Sequence, residues 1–387
     1  MNRGLNLYWG DLHIHSAVSR RCFKFGLEPR GYDGSPADCH RYARDEVGMD
    51  FSAVTDHDCT HEKREMTADE WEEVLAAADE YDRPPHHVAF PGFEYSNRRQ
   101  GHYHVVFSHG DVPMLGVDEF PTPTDLWQAL DREDPDALTI PHHIARRGMP
   151  NDWSYFNPRY EPVVEICSIW GCYEHAGNPF ECDPNWSASE PSGFARVGLG
   201  RGLRFGFVGG GDIHDGRAGG DCFDWRSGKV PERWRQGARY RRNPLGGGLA
   251  GIYAEKLTRE ALLDAMRLRR TIATTGRRTE ASIEVDGTLM GGEIDADGSQ
   301  IQERHLKVFA RSDSTLRSIE IIRNGHILIR FRCSGESGRI EFVDRFPLTD
   351  VTPMIRSSAD RPMVYYYARV IREDDHMAWT SPVWLLG

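Results

Sequence analysis

Gly10-Asp11-Leu12-His13-Ile14-His15-Ser16 places two histidines one apolar residue apart, directly after Asn6-Leu7-Tyr8-Trp9. On an extended strand a period of two turns both imidazoles to one side. Neutral imidazole is the commonest metal ligand, so two of them on one strand end are suited to gripping one divalent ion. Further groups of the same kind recur along the first 214 residues: Asp56-His57-Asp58, Glu94, His102 with His104, His142-His143, and Asp212-Ile213-His214. Of 17 histidines, 14 fall at or before His214, which locates the chemistry in the N-terminal part. Asp, Glu and His together, without thiolates, suit zinc, manganese or iron(II). Glu94 is the natural bridge between two ions, having two oxygens to share. Two ions would activate a water and hold the leaving oxygen of an in-line displacement. His104 shares a strand face with His102 and is a second candidate; a straight strand turns only one of His142 and His143 inward, and His142 is the expected one. Cys167 reads as a small buried hydrophobe. No Gly-x-Ser-x-Gly elbow is present, and Gly209-Gly210-Gly211 reads as a tight strand end rather than a dinucleotide fingerprint.

The elements that must carry these residues follow from pattern. Expected strands precede each group: the opening run, Phe51 to Thr55, His87 to Phe93, Gly101 to Ser108, Ala137 to Pro141, Val163 to Ile169 and Phe205 to Gly210. Helices intervene. One opens at Ser35-Pro36 and stops at Gly48, one has the stripe Trp71, Val74, Leu75, Ala78, one lies around Pro123 to Leu130, and one is capped by Thr258. Strand and helix in alternation predict a parallel α/β architecture, with reactive groups at the carboxyl ends of the strands. His86 and His87 follow Pro84-Pro85 and are expected on a surface loop; His61 and His109 are expected to be merely polar or to lie behind the ligands. From about Thr279 short alternating runs separated by Asp286-Gly287 and Asn324-Gly325 predict an all-β sandwich. That part is expected to be structural, packing on the first or forming a contact between copies in a homo-oligomer.

Composition narrows the classes. The 387 residues carry 47 basic and 59 acidic side chains, a net charge of -12, and 39% hydrophobic residues. Such a chain supports a sizeable core, is a poor binder of nucleic acid, and shows no run long enough to cross a membrane. Eight cysteines without a Cys-x-x-Cys pair predict a reduced, cytoplasmic protein. Two stretches, 171–200 and 215–248, interrupt the alternation and read as lids or substrate loops. The second contains Arg226, Lys229, Arg233, Arg235, Arg239, Arg241 and Arg242, a solvated run or a means of drawing in an anionic small molecule. Arg146, Arg147 and Arg217 lie near the cluster in sequence and are candidates for holding a substrate anion.

Taken as an ordered set, the His13/His15 run, Val54-Thr55-Asp56-His57-Asp58, Gly92-Phe93-Glu94, Gly101-His102, Pro141-His142-His143 and Gly211-Asp212-Ile213-His214 resemble the metal motifs of the polymerase-and-histidinol-phosphatase (PHP) superfamily. The resemblance spans about residues 5 to 276. It implies a distorted (β/α)7 TIM-like barrel over residues 1–278, with the β-sandwich over 279–387. It implies one ion on His13, His15, Glu94 and Asp212, a second on Glu94, His102 and His142, and a third shared by His57 and His214 where one exists. Arg21 stands where some members carry a further His or Asp, so two ions rather than three are expected. The tail Ala378-Trp379-Thr380-Ser381-Pro382-Val383-Trp384 is similar to a branch that includes carbamate-cleaving members. The expected function is a metal-dependent hydrolase, foremost a phosphoesterase, with Asp56, His57, Glu94 and Arg217 in catalytic roles. The rivals are a carbamate, ester or amide hydrolase and a non-catalytic metal or ligand sensor.

Overall fold

The computed structural model describes residues 4–19, 34–59, 65–133, 136–180, 189–214, 216–219, 247–351, 353–358 and 360–387. Arg21, Cys22, His61, Cys182, Cys222 and the basic run from Arg226 to Arg242 lie outside them.

Among the described residues, eleven strands precede residue 279. They are β1 (Asn6–Ile14), β2 (Phe51–Val54), β3 (Val88–Phe90), β4 (Gly92–Tyr95), β5 (His102–Phe107), β6 (Ala137–His142), β7 (Val163–Ser168), β8 (Gly171–Cys172), β9 (Gly206–Gly209), β10 (Leu249–Ala254) and β11 (Thr271–Thr274). The expected helices form at Pro36–Arg41, Ala68–Tyr81, Pro123–Glu133 and Arg259–Arg267. Ser35 caps the first, Thr67 and Glu70 form a reciprocal capping box on the second, and Thr258 caps the fourth. The fourth buries Leu262, Leu263 and Met266 on the outer face of the strands, each worth about 1.5–3 kcal/mol. Its Arg259 donates to the carbonyls of Ala89 and Ala78, binding that helix to β3 and to the helix Ala68–Tyr81.

Before residue 279 the parallel ladders among the described residues are β1–β2–β3 and β7–β9. β10 and β11 join β1 antiparallel, and β4–β5–β6 form a separate antiparallel sheet. No sheet closes into a barrel among the described residues. The all-parallel expectation therefore fails for the second sheet, for two local reasons. The run from His87 onward is two strands, broken at Pro91, whose missing N–H cannot continue a ladder. The 96–101 connection between β4 and β5 is then far too short for a parallel crossover.

The strands after residue 279 are β12 (Glu280–Val285), β13 (Thr288–Leu289), β14 (Glu293–Asp295), β15 (Arg304–Arg311), β16 (Leu316–Arg323), β17 (His326–Arg332), β18 (Ser337–Asp344), β19 (Ile355–Arg356), β20 (Pro362–Arg372), β21 (Met377–Thr380) and β22 (Val383–Leu386). One sheet runs β13-β12-β15-β18. Its inward residues Ile283, Val308 and Ile340 share a core with Ile319, Ile321, Val364 and Ala368 of β16 and β20. The second sheet is continuous with the first part of the chain, because β21 pairs antiparallel with β11. Twelve strands belong to this shared sheet. The described helices include none long and apolar enough to cross a membrane. Cys39, Cys59, Cys167, Cys172 and Cys333 are free thiols.

Candidate metal centre

Strand ends and their pairing bring the chemistry together. His13 lies on β1 and His15 just past it; the backbone of His15 donates to Ile213 and that of Asp212 to His13. His57 bridges in parallel to Glu94. Across the second sheet Glu94 faces His104 and His102 faces His142. His13, His15, Glu94, His102, His104, His142, His143, Glu165 and Asp212 are all buried. His57 and His214 keep side-chain exposures of 17% and 20%, so solvent reaches the cluster from their side.

Glu94 stands at the middle with its two oxygens facing different sets of imidazoles. Oε2 is 3.5 Å from His13 Nε2 and 3.2 Å from His15 Nε2. Oε1 is 3.3 Å from His57 Nδ1, 3.3 Å from His142 Nε2 and 2.5 Å from His102 Nδ1. Asp212 Oδ1 lies 3.5 Å from both His13 Nε2 and His15 Nε2 and 3.4 Å from His214 Nδ1. Two ligand atoms held at ~2.1 Å by one ion stand roughly 3–3.4 Å apart, so most of these spacings suit shared coordination better than direct hydrogen bonds. Among the described residues, four sets of donors lie mutually within 4.8 Å: His13/His15/Glu94, Glu94/His102/His142/His143, His13/His104/His142 and His15/His57/His214. The residues present thus fit more than one ion. The hydrogen-bond inventory agrees: His102 Nε2, both ring nitrogens of His104 and of His142, and His143 Nδ1 are buried without a hydrogen-bond partner.

Electrostatics favour positive charge here. Burial by itself lowers His13 and His15, but the carboxylates of Asp212, Glu165 and Glu94 outweigh it; His13 is raised well above its ordinary value and His15 to about 9. Burial alone raises Glu94 and Asp212, yet the surrounding imidazoles hold both well below the usual carboxylate range. Burial keeps His104, His143 and His214 neutral and takes His142 down to about 3, the protonation state in which imidazole ligates.

A supporting layer orients the ligands. His13 Nδ1 is 3.0 Å from Glu165 Oε2, which leaves Nε2 facing the cluster. Burial pushes Glu165 up to about 7 against the pull of His13. His15 Nδ1 meets Ser19 Oγ at 3.1 Å, and His57 Nδ1 meets Ser96 Oγ at 3.0 Å. Asp11 accepts from the backbone of His13, Gly211 and Gly219 and so ties β1 to the segment that carries Asp212. The three glycines before Asp212 are required by crowding. A Cβ on Gly210 would sit 2.0 Å from Glu165 Oε2 and 2.9 Å from His13 Cβ. Asp212 itself adopts φ 52°, a left-handed backbone tolerated where the surroundings enforce it.

Several expectations change. His142 and His143 both join the Glu94/His102 set, because β6 ends at His142 and His143 turns to φ 32°. His104 is as buried as His102, and both belong to donor sets. Asp56 contributes to none; its oxygens accept from the backbone and hydroxyl groups of Ser16 and Ser19, holding the turn after β1. Arg217 is buried on the short 216–219 stretch. His87 is buried, not on a surface loop, and bonds Ser52 Oγ and the Met49 carbonyl; His86 is exposed as expected. Sequence reasoning passed over Glu165, although a lone carboxylate inside the apolar run Val163-Val164-Glu165-Ile166 was a readable signal.

Fold and site together define a sheet-rich α/β protein with buried imidazole–carboxylate groups able to hold metal ions. The chain belongs to the DUF3604 family, described as proteins of unknown function, whose family model matches residues 48–176 and 173–285. Uncharacterized proteins of Chlamydia trachomatis serovar D and Chlamydia pneumoniae are each 28% identical over 390 and 388 residues, 98% of this chain. The chain spans 57% of the length of these relatives. Among solved structures, a two-domain protein from Bacteroides vulgatus, containing a predicted PHP-like metal-dependent phosphoesterase, aligns with a TM-score of 0.44 at 13% identity. That alignment covers 94% of this chain and 90% of the other.

Proposed function

We propose that the chain is a metal-dependent hydrolase whose substrate is a phosphate ester. The observation that carries the reading is the placement of Glu94, one oxygen toward His13 and His15 and the other toward His57, His102 and His142. That is the arrangement a carboxylate needs to bridge two ions. His13, His15, Glu94 and Asp212 would hold the first divalent ion, and Glu94, His102 and His142 the second, with zinc, manganese or iron(II) suited to these donors. His57 and His214, with His15, form a further set on the solvent side. When bound, such ions supply Lewis acidity and a water acidified toward neutral pH. The protein's own part is to hold that geometry. Glu165 fixes the ring of His13, Ser19 that of His15, and Asp56 fixes Ser19 in turn. His57 and His214, partly exposed at the open side, would meet a small anionic substrate. We assign this chemistry to residues 1–278, arranged as a much distorted relative of a (β/α)7 barrel, and a supporting role to residues 279–387. The reduced thiols suit a cytoplasmic setting.

The test is a substrate panel on the metal-reconstituted chain: p-nitrophenyl phosphate and its diester against aryl carbamates and carboxyl esters. Hydrolysis of the phosphate esters is expected. Turnover of carbamates alone would replace the phosphoesterase reading, and no turnover with zinc, manganese or iron would favour a sensor. Glu94→Gln is expected to lower metal content on elemental analysis and to cut the rate by at least roughly a hundredfold. Unchanged metal content would show that Glu94 is not the bridge.

A further inference from the structure

The geometry points to Arg146, seated on Trp170, as the site that takes the charged phosphoryl group of the substrate, on the same segment as the unpartnered Asn151. This deepens the phosphoesterase reading and rests on it. Three observations meet at the segment that leaves β6. First, Arg146 follows directly from the ligand pair, since its backbone N–H donates to the His143 carbonyl. Second, its guanidinium stacks over the indole of Trp170, with Cζ 4.6 Å from the ring centroid; Trp170 in turn stands edge-on to His214 at 6.1 Å. A guanidinium stacked by its face keeps its N–H edge for an oxyanion. The Nε of Arg146 is buried and has no hydrogen-bond partner, and no carboxylate pairs with Arg146 among the described residues. Third, Asn151 is 3% exposed with both Oδ1 and Nδ2 unpartnered. It lies against the residue preceding His102: a Cβ on Gly101 would stand 2.9 Å from Asn151 Oδ1.

Buried polar groups are ordinarily satisfied, so an unpartnered guanidinium nitrogen and an unpartnered amide on the one segment that leaves the His142–His143 pair are unusual. Arg147, by contrast, is exposed, and Arg217 is buried on a different segment. The first long insertion braces the Arg146 loop: Arg146 pairs in a bridge with Ser189, the Glu190 N–H donates to the Ala145 carbonyl, and a Cβ on Gly193 would fall 2.0 Å from the Ile144 carbonyl. A loop held this closely keeps the guanidinium in place before any ligand arrives, which reduces the ordering cost of binding.

The experiment is calorimetric titration of inorganic phosphate into the full chain reconstituted with zinc and, separately, with manganese. Arg146→Ala is expected to weaken phosphate binding roughly ten- to hundredfold, the worth of one or two charge-assisted hydrogen bonds, with metal content unchanged. Arg146→Lys should recover part of the affinity, and Trp170→Leu should lose an intermediate amount. Phosphate affinity unchanged in Arg146→Ala, or absent from the wild type, would overturn the inference. So would an Arg146-dependent affinity for acetate equal to that for phosphate, because the site would then be a carboxylate site. A wild type that binds phosphate through Arg146 yet hydrolyses no phosphate ester would sink the proposed function and leave this anion site standing.

Discussion

The molecule buries charge in two places and treats it in opposite ways. Around Glu94, His102 Nε2, both ring nitrogens of His104 and of His142, and His143 Nδ1 stand in the interior without hydrogen bonds. Between β16, β20 and the loop after β8, the charges are matched. Arg369 donates to Glu320 at 2.7 Å and to Glu174 at 2.8 Å, and Tyr367 and Trp379 also donate to Glu174. A similar set joins Arg304, Arg323 and Tyr366 to Asp344. Burial of a polar group costs free energy unless a partner is present. A satisfied network therefore needs nothing from outside, whereas a buried, unsatisfied one points to a missing ligand. The contrast separates a region that is satisfied within itself from one whose buried donors are able to hold metal ions.

The contrast is broken most severely by removing a central charge from the satisfied network. Arg369→Ala leaves Glu174 buried with no cation, only the Tyr367 and Trp379 donors, and leaves Glu320 to Arg330 alone; it is expected to cost about 3–5 kcal/mol in denaturant unfolding. Metal content per folded chain should not change; a loss of metal with normal stability would contradict the division of labour. A smaller effect is expected at the edge of the reactive region. Glu165→Gln keeps the size of the side chain but weakens its hold on His13, and should lower metal affinity roughly ten- to hundredfold, read by chelator competition. Affinity equal to wild type would show that His13 is oriented by other contacts.

The smallest expected effect concerns pH. Burial lowers His376, bonded to Thr275 near the junction of the two parts, to about 4. Unfolding releases it to its ordinary value near 6.5, so between pH 6.5 and 4 the unfolded chain binds the extra proton. This residue's contribution to stability is therefore full above about pH 6.5 and is lost as pH falls toward 4. His376→Gln should flatten the stability–pH curve in that window relative to wild type; parallel curves would refute the assignment.

Much of the site was legible because metal ligation demands particular side chains. His13, His15, His57, Glu94, His102, His142, Asp212 and His214 stand out by type and by their position after apolar runs. Helix boundaries were legible where caps mark them, as at Ser35, Thr67 and Thr258. Strand direction was not. Pro91 sends the chain from one sheet into another, and the short 96–101 connection forces antiparallel pairing, neither of which hydrophobic period reports. Nor could period show that the backbone turns at His143, bringing a second imidazole inward.

What the sequence determined by itself is the inventory: which donors exist, that they sit at strand ends, and that thiolates are not among them. Only the tertiary structure decided which donors meet, that Glu94 divides its oxygens between two sets, and that Glu165, distant in sequence, orients His13. The physical reason is that residue type and local pattern act over a few neighbours. Coordination and polar satisfaction, by contrast, depend on atoms brought together from strands more than a hundred residues apart, such as His13 and Glu165.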